Sequence, residues 1–105
     1  MPYYHEDDNN IFVHAGINPF YADWRKQSED DFIWIRDIFI KCKTSLDKKV
    51  VFGHTPTIKI HDKEEIWFGE DKIGIDGGCC FGLQLNLLEI SNEGYKTYFV
   101  RKNRH

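Results

Sequence analysis

Val50-Val51-Phe52-Gly53-His54-Thr55-Pro56 decides how this chain is read. An apolar run of three, two of them β-branched, is a short buried strand, and it stops at a glycine, a histidine and a proline. Ile11-Phe12-Val13-His14-Ala15-Gly16-Ile17-Asn18-Pro19 repeats the pattern, with a histidine and small residues where the strand runs into a turn. Lys72-Ile73-Gly74-Ile75-Asp76 is a third such strand, leading into Gly77-Gly78. Ends of buried strands are where α/β folds assemble their sites. His14, His54 and Asp76 are therefore the side chains to weigh.

Between the histidine strands, Ser28-Glu29-Asp30-Asp31 marks a helix start, with a capping hydroxyl and three carboxylates at the positive end. Phe32, Ile35, Phe39, Cys42 and Leu46 then recur at three- and four-residue steps, which predicts one long helix over about Asp30 to Lys43. Phe20 to Gln27 reads as loop with room for a helical turn. Thr57 to His61 and Glu65 to Phe68 read as short edge strands around Asp62-Lys63-Glu64. Leu83 to Ile90 and Tyr95 to Arg101 flank Ser91-Asn92-Glu93-Gly94 as a β-hairpin. The fold class expected is α/β, a mixed sheet plus one long helix, in a single unit.

Composition closes off several functions. Of 105 residues, 41% are hydrophobic and 15% aromatic, too many for a disordered chain. No apolar run approaches the roughly 18 residues of a membrane span, and the polar, acidic start is the reverse of a signal peptide. Seventeen acidic against fourteen basic side chains leave a formal charge of −3, which argues against a nucleic-acid partner. Cys42, Cys79 and Cys80 are odd in number, without a CxxC pair, and suggest buried free thiols in a reducing, cytoplasmic setting. The basic tail from Arg101 to His105 reads as a solvated end.

A neutral imidazole at a rigid strand end suits a borderline divalent cation. His14 and His54 are thus either metal ligands or unrelated core histidines bonded to backbone. Arg36 can grip phosphate oxygens in a fork, or can be a surface arginine paired with Asp37 or Glu29, and Arg25 is a weaker rival for that role. Asp76 either accepts N–H bonds from the Gly77-Gly78 turn or orients a histidine. Trp34 and Trp67 are read as core or rim packing. GxxxxGK[ST], GxGxxG, GxSxG and HExxH are all missing.

Taken together, Phe12–Pro19, Val51–Pro56, Ile73–Gly82 and Trp34-Ile35-Arg36 resemble, in order and spacing, the C-terminal half of calcineurin-like metallophosphoesterases, closest to the bacterial serine/threonine protein phosphatase branch. The likeness covers roughly Asn10 to Ile90. It implies half of a β-sandwich flanked by helices, and residues 1–105 as the C-terminal lobe of such a domain with its N-terminal metal-binding half absent. It further implies His14 and His54 as ligands of one ion of a manganese or iron pair, and Arg36 as a substrate-phosphate ligand. Asp76 precedes Gly77, where the family has threonine, so no family role is carried there beyond a possible supporting one. The family's GDxHG, GDxxDRG and GNHE do not occur. The expectation is therefore an incomplete binuclear site, weak metal binding and little hydrolysis by this chain alone. A phosphoprotein or other phosphoester substrate, the missing half and self-association are the expected partners. A diadenosine tetraphosphate hydrolase fragment and a non-catalytic binding module are the alternatives.

Overall fold

The computed structural model describes residues 3–44, 46–78 and 82–101. The order of elements is β1 (Tyr4–Glu6), β2 (Asn10–Val13), a 3-10 turn (Trp24–Lys26), α1 (Glu29–Trp34), α2 (Asp37–Ile40), β3 (Lys49–Phe52), α3 (Ile58–His61), β4 (Trp67–Phe68), β5 (Lys72–Gly74), β6 (Gln84–Ser91) and β7 (Gly94–Arg101). The chain is a small mixed α/β domain. Five strands form one sheet in the order β1-β2-β3-β5-β4, and β6 and β7 form a separate two-stranded hairpin.

The middle of the large sheet is parallel and its two edges are antiparallel. Parallel neighbours require a crossover between them. Residues 14–48, with α1 and α2, join β2 to β3, and residues 53–71, with α3 and β4, join β3 to β5. The register aligns Val13 with Phe52 and Phe52 with Gly74. All three strands therefore end at the same rim, and whatever follows each of them in sequence emerges there.

Alternation along the strands sorts side chains to the two faces. Ile11, Val13, Val50 and Phe52 join Phe32, Ile35 and Phe39 from the helices in the main core. Phe12, Val51 and Ile73 point the other way, where Ile66, Leu88 and Tyr95 cover them. Phe39 is fully buried, edge-on to Phe52 at 4.9 Å between ring centroids. Gly16 lies directly against the Phe39 ring, and a Cβ there would overlap it.

Three expectations need correction. The long helix is two short ones, because Ile35 is extended (φ −59°, ψ 142°) and Arg36 is non-helical (φ −133°, ψ −105°). The Ile33-Trp34-Ile35 stretch is a weak helix former, and Phe32, Ile35 and Phe39 reach the core from both sides of the break. Thr57 to His61 is helix α3 rather than an edge strand. Pro56 pre-sets the first turn, the Lys59 N–H donating to its carbonyl at 3.0 Å, and Asp62 ends the helix in the left-handed region at φ 60°. Cys42 is exposed rather than a buried thiol, since the chain leaves the helix before reaching it. Cys79, Cys80 and the tail after Arg101 lie outside the described residues. The acidic start, which carried no structural reading, supplies edge strand β1.

Among the described residues, no helix is long and apolar enough to cross a membrane.

Candidate functional site

The rim formed by the carboxyl ends of β2, β3 and β5 gathers the residues marked by sequence. His14 follows β2 directly, His54 lies two residues beyond β3, and Asp76 two beyond β5. Backbone bonds stitch these segments together: Gly53 N–H to the His14 carbonyl at 2.8 Å, Ile75 N–H to Phe52 at 3.0 Å, and Thr57 N–H to the Asp76 carbonyl at 2.8 Å. Ala15 N–H donates to the Phe32 carbonyl at 2.9 Å, which ties α1 to the same rim.

The imidazoles of His14 and His54 approach to 5.3 Å between centroids. His54 adopts φ 63°, a left-handed conformation that is uncommon for a residue with a side chain. Arg36 reaches it from the break between α1 and α2, its Nε–H donating to His54 Nε2 at 3.1 Å. That bond uses the Nε2 lone pair, so the neutral ring carries its proton on Nδ1. Trp34, largely exposed at 62%, sets its ring edge-on to His54 at 5.5 Å.

Electrostatics favour the neutral imidazole. Partial burial lowers the pKa of His54, the Arg36 charge and His14 lower it further, and Asp76 acts weakly in the opposite sense. The Asp76 carboxylate itself accepts the Gly78 N–H at 2.8 Å, so it shapes the turn after β5. The competing roles for the arginines also separate. Arg25 is held by Glu6, with Nη2 at 2.6 and 2.7 Å from its two oxygens. Asp37 lies 3.9 Å from Lys41, and Glu29 accepts from Tyr3. Arg36 therefore spends only its Nε–H, and among the described residues its two terminal amino groups make no hydrogen bond.

These groups do not fit a metal centre as they stand. Among the described residues, no three His, Cys, Asp or Glu side chains converge where an ion could sit. The donors present are two imidazoles, one of them with its lone pair on a guanidinium, and a dication needs anionic or further neutral ligands. What the rim offers chemically is a cationic fork beside two imidazoles, an arrangement suited to an oxyanion.

Sequence reasoning missed Thr55, which is 7% exposed and whose buried hydroxyl has no hydrogen-bond partner among the described residues. Its only sequence signal is its place between His54 and Pro56. No protein-family model, curated protein or solved structure matches this chain.

Proposed function

We propose that the chain serves metal-dependent phosphoester hydrolysis, most specifically the dephosphorylation of serine or threonine phosphoproteins, and supplies one part of the centre. The observation that carries this reading is the convergence of His14, Arg36 and His54, 40 positions apart along the chain, on one sheet rim with a free guanidinium fork. The resemblance of the four segments to the phosphatase branch supports it independently. Arg36 would hold two phosphate oxygens through its terminal amino groups, and its bond to His54 fixes its direction. The lowered pKa of His54 favours its neutral ring, which would leave the anion's charge to the guanidinium. A manganese or iron pair would supply an activated water when bound, with His14 and His54 as two of its ligands and further ligands still required.

Turnover of para-nitrophenyl phosphate with added Mn2+ tests the assignment together with Mn2+ line broadening in the NMR spectrum. The expected result is weak binding that broadens the His14 and His54 rings first, with hydrolysis barely above buffer. Broadening elsewhere would remove the metal reading, and rapid turnover would reveal a site in residues not assigned one. A second reading, a non-catalytic phosphate-binding module, is favoured by one observation: Arg36 occupies the His54 lone pair that a metal would take. Phosphate binding unchanged by Mn2+ would select it.

A further inference from the structure

Beside Arg36, between α2 and α3, the structure holds a cavity of about 480 Å3. Its charge is out of keeping with the molecule. Arg36, Lys41 and Lys59 face Asp37 alone, which leaves a local excess of two positive charges in a chain of formal charge −3. Its walls are apolar, with Ile40, Ile60 and the half-buried ring of Trp67. Thr55 also lines it. The volume lies in the range of small-molecule sites, roughly 300 to 1,000 Å3, which combine apolar walls with a few polar groups.

We propose that this cavity binds a phosphomonoester carried on a flat apolar group, as in an aryl phosphate. The phosphate lies against Arg36 and Lys59, and the ring packs on Trp67 between the two isoleucines. Inorganic phosphate satisfies only the cations and a neutral ring only the walls, so the conjugate of the two is the preferred ligand. The inference rests on the phosphoester reading for the choice of phosphate and for the role of Arg36, and in naming an aromatic organic part it departs from the serine/threonine assignment.

The test is binding to the full chain in chelator, followed by tryptophan fluorescence and by the Trp67 indole N–H in NMR. Phenyl phosphate should bind about tenfold more tightly than inorganic phosphate. Trp67→Leu should abolish that preference while leaving inorganic phosphate unchanged. Lys59→Glu, an exposed position that should not affect folding, should weaken both ligands about tenfold. Adenosine monophosphate competing as strongly would assign the flat group to a nucleobase, and its failure would assign it to a smaller ring. Equal affinity for phenyl phosphate and inorganic phosphate, or a Lys59→Glu chain that binds like the parent, overturns the proposal. No divalent cation is present and no turnover is read, so failure here leaves the hydrolysis reading standing. Failed hydrolysis, in turn, leaves this binding site standing.

Discussion

Arg25 and Arg36 are the same side chain with opposite fates. Arg25 is consumed by Glu6, which also accepts from Lys48 at 2.7 Å, whereas among the described residues the two amino groups of Arg36 make no hydrogen bond. Nothing local in the sequence separates them, because Glu6 lies on β1 and reaches Arg25 only when that strand joins the sheet edge. The histidines were legible, since each sits at the visible end of an apolar run. Buried charge offers a sharper test at this scale. Lys72 is 3% exposed and its ammonium donates to the Cys42 carbonyl at 2.8 Å and to Asp71 at 2.9 Å. Burial works to raise the Asp71 pKa, but the Thr44 amide at 2.6 Å and the Lys72 charge outweigh it and hold the carboxyl below its ordinary value. A carboxyl with a lowered folded pKa binds fewer protons than in the unfolded chain. Its stabilisation is complete above the ordinary value of 3.8 and is lost as pH falls through the folded value. Asp71→Asn should therefore cost about 2 kcal/mol at pH 6, and urea titrations should show the difference between variant and parent shrinking towards pH 3.

The helical segment shows how an element can be half legible. Ser28 was readable as a cap, and its Oγ accepts the Asp31 N–H at 3.2 Å. The break after Trp34 was not, because Phe32, Ile35 and Phe39 satisfy helical spacing whether or not the helix is continuous. The observed contacts lie on either side of it: Phe39 packs directly against Gly16, and Arg36 at the break reaches His54. Because α1 has only six residues, its cap is a large share of its stability. Ser28→Ala should cost about 1 kcal/mol, with faster hydrogen exchange confined to residues 31–35. Phe39→Ala should cost about 4 kcal/mol, a large part of the 5 to 15 kcal/mol that usually holds a domain. Chemical denaturation should rank the two in that order.

Over the whole molecule, the hairpin is the feature out of balance. Its inner face packs Leu88 and Tyr95 on the sheet, and the Tyr95 hydroxyl donates to Asn10 at 2.8 Å. Its outer face pairs Leu85 with Val100 and Leu87 with Tyr98, and these are 58%, 68%, 62% and 50% exposed. Only towards the turn does the face become charged, at Glu89 opposite Lys96. A contiguous apolar surface on a two-stranded sheet favours association. Light scattering should show concentration-dependent association of the chain, reduced by Leu87→Lys with Val100→Lys; a monomer at every concentration would contradict this.

By itself the sequence determined the strands, the cap, the hairpin and the polar residues at strand ends, because periodicity, glycine and capping chemistry act within a few neighbouring residues. Only the tertiary structure decided which of those residues meet. Parallel pairing brought His14, His54 and Asp76 to one rim, and the break between α1 and α2 placed Arg36 where it reaches His54. Contacts between residues so distant in sequence depend on register and packing volume, quantities that no local pattern encodes.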